Sequence, residues 1–466
     1  MRRLALLVAL LAALAAPGSA LAAFTKTDRV LPMDDGVGIA TTTYIPAGTA
    51  PFPAIVMFHG LGGNRQSLDL VASRFADAGY VVLTSDFRGH GQSGGLFSGL
   101  GARELSDIAQ LREKWLPQLA PVDTTKVGAW GISLGGGAAL RTIGEGEPYA
   151  ALEVVETWTD LYDALVPQDL PKSGAIFQFL GAVPPERQAP ELLAIGNAVS
   201  TRNTAALRAF TRARSTRALL GRGYPPTLFF QGRRDFVFGL DQGLSAYARL
   251  VSPKGLYIGL FGHAPSTFPG PDIETVLARS VAWYDRFLKG VPNGADTAPP
   301  VEVAPSSFTG QTVRYRTLPP TIVRAYRLPG KATIGDAGKV VRRVLVKPAL
   351  ETFGAPTVRV TASSTTGWSH LVAVLVARAP NGTQTVVSEG GVPTTLGAKP
   401  RTLTIRMIAQ VTAIPKGSRL ELTLAGTSTA QNPANLLYLV PVPQGAKITI
   451  AKVQLAVPTL RKPVSR

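Results

Sequence analysis

The pentapeptide Gly131-Ile132-Ser133-Leu134-Gly135 carries the sharpest chemical signal in the chain. It fits G-x-S-x-G, in which a serine sits on a tight strand-to-helix turn with its hydroxyl projecting above a sheet edge. Small residues on either side permit the strained backbone of such a turn. Lys126 to Trp130 reads as the strand leading in, and Gly136-Gly137-Ala138-Ala139-Leu140 as the helix leading out. A nucleophilic serine needs a base and an orienting acid, and in this arrangement they follow it in the order acid, then histidine. Asp235, in Gln231-Gly232-Arg233-Arg234-Asp235, stands just past an apolar run, and His263 follows the run Leu256 to Leu260. His263 is expected to take the Ser133 proton as the hydroxyl attacks a carbonyl, with Asp235 holding the imidazole. The backbone N–H groups of Leu61 and Leu134 are expected to hold the oxyanion.

Other residues fit chemical patterns less well. Gly91-Gln92-Ser93-Gly94-Gly95 also matches G-x-S-x-G, and Gly89 to Gly94 is a literal G-x-G-x-x-G. Both lie in a glycine-rich loop with no helix opening immediately behind, so both are expected to be structural. Asp86 and Arg88 are expected to hold that loop by pairing with each other. His59 precedes any acid-then-base order and is expected to be structural, as is His90. The arginines at 202, 208, 212, 214, 217 and 222 are expected to form a solvated helix face; selection of an acidic acyl group by them is the weaker alternative. The chain has no cysteine, which excludes a disulfide scaffold, a thiolate metal site and a cysteine nucleophile. Its four histidines are scattered, with no pair at ligand spacing, so neither a metal nor a cofactor is expected.

The elements that must position these residues alternate. Apolar runs at Ala54 to Phe58, Tyr80 to Thr84 and Lys126 to Trp130 are separated by helical patterns at Leu68 to Ala78 and about Arg103 to Leu116. Continuous apolar runs of this length suit strands buried on both faces, so a doubly wound parallel α/β sheet is expected. Between 151 and 222 strand patterns give way to helical ones, which predicts a helical cap inserted into that sheet. The sheet resumes at Pro226 to Gly232 and Gly255 to Leu260, and a last helix runs from Ile273 to Leu288. The catalytic domain is thus expected to comprise 24–150 and 223–291. Past a Pro-, Gly- and Ala-rich linker at 292–300, residues 301–466 alternate apolar and polar positions between turn signals such as Pro380-Asn381-Gly382. This predicts an all-β sandwich of the jelly-roll type.

Composition bounds the rest. The 466 residues are 45% hydrophobic and 17% charged, enough apolar content for sizeable cores. Arg2 and Arg3, the apolar run Leu4 to Ala16, and small residues at Ala20 and Ala22 read as a secretory leader over 1–23; a location outside the cytoplasm is expected. The formal charge is +18, spread along the chain without a recognition-helix or aromatic RNA-binding pattern. An anionic cell-envelope surface, not nucleic acid, is the expected partner of that charge. Oligomeric state is not legible.

Taken together, Gly131 to Gly135, the segment Pro226 to Asp241 with Asp235, Gly262-His263, and a C-terminal β domain carrying Trp368-Ser369-His370-Leu371 and Ala379 to Gly382 are similar to the X-Pro dipeptidyl-peptidase and cocaine-esterase-like α/β-hydrolases. The resemblance implies hydrolysis of small-molecule or peptide esters and amides, with the jelly roll near the catalytic mouth. Members of that family commonly supply a tyrosine side chain as an oxyanion donor after the first core strand. Leu61 stands at the corresponding place here, within a His-Gly-Leu-Gly-Gly loop. An esterase or amidase is the leading expectation. An X-Pro dipeptidyl-peptidase is the alternative, and it predicts an acidic subsite in the cap near Ser133. From another class, a glycan- or envelope-binding protein on an inactive scaffold would have no use for an intact triad.

Overall fold

The computed structural model describes residues 23–221, 223–428 and 437–465. The leader-like segment lies outside them except for Ala23, as does Arg222. Ten strands form the first sheet: β1 (Phe24–Pro32), β2 (Gly38–Pro46), β3 (Phe52–Phe58), β4 (Val81–Ser85), β5 (Val122–Ile132), β6 (Ala151–Val155), β7 (Thr227–Gly232), β8 (Lys254–Gly259), β9 (Val301–Val303) and β10 (Val313–Tyr315). Their spatial order is β1-β2-β4-β3-β5-β6-β7-β8-β9-β10. Strands β3 to β9 run parallel to their neighbours, with antiparallel strands at either edge. Helices α1 (Asp69–Asp77), α2 (Ala102–Gln110), α3 (Leu116–Leu119) and α4 (Leu134–Gly144) alternate with these strands along the chain.

Both faces of the sheet are covered, as its apolar runs require. In β3, Ala54, Val56 and Phe58 join the core beneath α2 and α4. Ile55 and Met57 point the other way, into the core formed with α1 and the helix Ile273–Leu288. This is the period-2 alternation of a strand, with both faces apolar. The insertion above the sheet holds α5 (Leu161–Leu165), α6 (Ser173–Gly181), α7 (Pro190–Ser200) and α8 (Thr204–Arg212). After β7 come α9 (Leu240–Arg249) and, following β8, α10 (Ile273–Leu288).

Two expected boundaries are corrected. The segment read as a wholly helical insertion begins with β6, a central strand between β5 and β7. Glu153 interrupts its apolar run and masks it in the sequence. The carboxylate is buried and accepts bonds from Trp130 Nε1 (2.7 Å) and Ser280 Oγ (2.6 Å). Likewise β9 and β10, beyond the linker, extend the first sheet and are not part of the sandwich, because Val301 to Val303 pair in parallel with β8.

The remainder is antiparallel. Thr321–Leu328, Lys447–Leu460, Thr357–Ser363 and Arg401–Arg406 are neighbours in one sheet, where Ala332–Gly335 also pairs with Lys447–Leu460. Lys339–Leu345, Arg419–Ala425, His370–Arg378 and Gln384–Pro393 form the other. Inward residues of both, such as Val358, Val360, Leu371, Leu375 and Leu422, share one core. The chain thus has an α/β-hydrolase sheet and a C-terminal β-sandwich.

Candidate active site

Ser133 stands between β5 and α4 with φ 53° and ψ −115°, a conformation uncommon for a residue with a side chain. The neighbouring glycines make it possible. A Cβ on Gly131 would collide with the carbonyl of Gly135, and one on Gly135 with the carbonyl of Phe58. The elbow is pinned from β6: Ser133 N donates to Val155 O (2.8 Å), and Thr157 Oγ1 donates to Ser133 O (2.8 Å).

The structure brings Ser133, His263 and Asp235 together from three strand ends. Ser133 Oγ lies 2.9 Å from His263 Nε2, and His263 Nδ1 lies 2.7 Å from Asp235 Oδ2. Asp235 is fully buried, and its other oxygen accepts from the N–H groups of Val237 (2.9 Å) and Phe238 (2.8 Å). Its carboxylate is therefore fixed as an acceptor facing the ring. Burial opposes protonation of His263, but the charge and hydrogen bond of Asp235, with the charge of Glu156, outweigh it and raise the imidazole to about 9. The His263 side chain remains 19% exposed, so substrate can reach it.

Leu134 opens α4, where the first N–H groups of a helix have no acceptor within it. The Leu61 loop abuts the same point, since a Cβ on Gly60 would lie 3.5 Å from Ser133 Cβ. Ser133 also lines a cavity of about 100 Å³ under the insertion. Leu61, Leu134, Trp158 and Phe238 form its floor, and Leu165, Ile176, Phe179, Leu192, Ile195 and Phe210 come from the insertion. Among its described lining residues Thr211 and Ser133 supply the only polar side chains. A second cavity, of about 310 Å³, also reaches Ser133 and is lined by His263 and Glu156.

The remaining candidates are placed elsewhere. Ser93 Oγ donates to Asp86 O (2.8 Å) and accepts from Ala40 N (2.9 Å), so it stitches a buried loop. His59 donates from Nδ1 to Gly60 O and accepts at Nε2 from Phe87 N; burial lowers its pKa to about 3. Asp86 and Arg88 do not pair with each other. Asp86 binds Arg65 (2.6 Å), and Arg88 binds Asp35 (2.7 Å) and Asp107. Partners distant in sequence but adjacent in the fold displace the local pairing. Arg208 pairs with Asp169 (2.6 Å) and Arg217 with Asp160 and Asp163, but Arg214 departs from the expected solvated face: it is buried and donates to the carbonyls of Ser98 and Gly99, because the loop that lines the cavity offers it acceptors. Glu156, Asp235 and His263 bring potential ligand atoms within 4.8 Å of one another. Both ring nitrogens of His263 are already engaged, by Asp235 and by Ser133, while Glu156 stands 3.8 Å from Nδ1 without bonding it.

Several residues around the acid escaped sequence reading. From the sandwich, Gln410 Nε2 donates to Asp235 O (2.7 Å), Val411 N to Arg233 O (2.7 Å), and Glu351 pairs with Arg233 where both are buried. From the insertion, Lys172 Nζ donates to Phe236 O (2.9 Å) and Val237 O (2.8 Å). The acid loop is therefore clamped both by the sandwich and by the insertion. No local pattern marks Gln410 or Glu351.

The family model for X-Pro dipeptidyl-peptidases (S15 family) matches residues 35–265. Over these residues the chain belongs to the X-Pro dipeptidyl-peptidase (S15) family. An uncharacterized 31.7 kDa protein of Escherichia coli is 37% identical over 102 residues, covering 22% of this chain and 35% of that protein. The quorum-quenching protein AidA of Acinetobacter baumannii is 37% identical over 116 residues, covering 23% and 36%. The match thus spans about a third of the length of these curated relatives. A CocE/NonD family hydrolase from Staphylococcus aureus shares the fold over 94% of each chain, with a TM-score of 0.72 at 14% identity.

Proposed function

We propose that the chain cleaves carboxylic esters, and amides of the same shape, with Ser133 as nucleophile, His263 as base and Asp235 as the orienting acid. The observation that carries this reading is the chain of contacts from Asp235 through His263 to Ser133, ending at the mouth of an apolar cavity. As Ser133 Oγ bonds to the carbonyl carbon, its proton passes to His263 Nε2. The Leu61 and Leu134 N–H groups hold the oxyanion, and His263 returns the proton to the leaving group. Water then repeats the cycle on the acyl-enzyme. The cavity under the cap takes the apolar acyl group. Its described lining residues include no carboxylate for a peptide N-terminus, which favours the ester reading over an X-Pro dipeptidyl-peptidase. Export to the cell envelope is part of the proposal, supported by the leader-like residues 1–23 and the +18 charge.

The test is a fluorophosphonate label located by mass spectrometry, run beside a nitrophenyl ester series and an Ala-Pro nitroanilide. Labelling at Ser133 with ester turnover is the expected result. A label on another residue would sink the assignment, and cleavage of the nitroanilide would favour the peptidase. Narrowing the cavity probes the acyl site: Ile176→Phe should lower kcat/KM for a medium-chain ester roughly 10–200-fold per excluded methylene while sparing acetate. Equal losses on both esters would remove the acyl group from this cavity.

A pH dependence follows from the raised imidazole. His263 must be neutral to accept a proton, and its folded pKa lies near 9. Turnover should therefore rise about tenfold per pH unit from neutrality and level off near that value. A plateau already reached at neutral pH would show that the carboxylates do not hold the proton on the ring.

A further inference from the structure

His263 faces a second buried carboxylate that the triad does not use. Glu156 follows β6 directly, on the strand between the one that ends at Ser133 and the one that leads to Asp235. It is 3% exposed, and its backbone is held at φ +50°, its N–H donating to Phe230 O (2.9 Å). Its neighbours on both sides bind the elbow, Val155 through its carbonyl and Thr157 through its hydroxyl. The side chain brings Oε2 to 3.8 Å from His263 Nδ1, while Oε1 has no partner among the described residues. A buried carboxylate without hydrogen bonds is costly, and so is a left-handed glutamate. Their coincidence beside the imidazole points to a role there.

We propose that Glu156 is a second acid for His263, a positioning residue that shares with Asp235 the imidazolium formed when Ser133 gives up its proton. The inference rests on the reading of Ser133 and His263 as nucleophile and base. In that step the bond from Ser133 Oγ to the acyl carbon forms as the proton moves to Nε2, and the Nδ1 proton stays on the ring between the two carboxylates. Asp235 is the nearer acceptor and is fixed by two N–H groups. Closing the gap from Glu156 to hydrogen-bonding range requires a movement of about 1 Å, and the second cavity borders both groups. The charged groups that face His263 are Asp235, Glu156 and, at longer range, Lys172; those that face Glu156 are His263, Asp235 and Asp272. Burial raises the Glu156 carboxyl, and the imidazolium opposes that rise.

The test compares wild type, Glu156→Gln, Asp235→Asn and the double variant by rate of fluorophosphonate inactivation from about pH 5 to 10. Asp235→Asn is expected to remain at least about tenfold faster than the double variant, because Glu156 then accepts the Nδ1 proton. Glu156→Gln alone should move the rising limb down by about one pH unit at most, with thermal melting near that of wild type. Should the glutamine variant fail to fold, Glu156→Asp keeps the charge, withdraws it by one methylene, and should move the limb the same way by less. A double variant no slower than Asp235→Asn, with superimposable limbs, overturns the proposal. The His263 titration followed by NMR in labelled protein needs no turnover. If the serine reading failed, a downward shift in Glu156→Gln would still support the pairing, and an unmoved titration would end it.

Discussion

Ser133→Ala should lower kcat for ester hydrolysis by about 10⁴ to 10⁶, and His263→Ala by a similar factor. The two losses are expected not to add, because nucleophile and base act in one step. Once the 2.9 Å Ser133–His263 pair is broken, the remaining partner has nothing to activate or to be activated by. The double variant should therefore be no slower than the worse single one. Residual turnover above water would come from the Leu61 and Leu134 N–H groups, which neither substitution touches. The measurement is kcat for one nitrophenyl ester on all three proteins, with thermal melting as a check on folding. Full multiplication of the two effects would mean that the residues do not operate as a unit.

Glu351→Ala should be the most damaging change away from the chemistry. Arg233 and Glu351 are both buried, and they join the acid loop to the sandwich. Glu351 also accepts from Ser465 N (2.9 Å) and Ser465 Oγ (2.7 Å), while Arg233 donates to Ala304 O (2.6 Å). Removing the carboxylate leaves an uncompensated buried guanidinium, which costs about 3–5 kcal/mol. For a domain of this size that is roughly 6–20 °C in Tm. Because Asp235 is two residues from Arg233, kcat should fall as well, and KM should change less. Arg233→Met with Glu351→Leu is the control: an apolar pair of similar volume is often neutral or better, so most of the stability should return. Loss of stability in both variants alike would place the energy in packing and not in the charge pair.

The elbow was legible because its requirements are local. Gly131 and Gly135 are needed within five residues of Ser133, and the half of the strand that leads into it, Val127 to Ile132, carries no polar side chain outside the Trp130 indole. The class of the sheet was legible for the same reason, since strands buried on both faces leave long apolar runs. Where a run was broken by a polar residue the reading failed. Glu153 concealed β6, because its partners Trp130 and Ser280 lie 23 and 127 residues away. Glu156 was overlooked with it, and the Asp86–Arg88 pairing was replaced by partners from other elements.

The sequence by itself determined the fold class, the family, and the positions at strand ends where a nucleophile, an acid and a base could stand. Periodicity and turn chemistry act over a few residues and are written along the chain. The tertiary structure decided the 2.7 and 2.9 Å contacts that join those residues, the second carboxylate beside His263, and the apolar lining under the cap. It also decided that the sandwich grips the acid loop through Gln410 and Glu351. These depend on side chains from 28 residues apart, as for Asp235 and His263, to 175, as for Asp235 and Gln410, meeting in a buried space, where distance and desolvation set the energy. Neither quantity has a trace in local sequence.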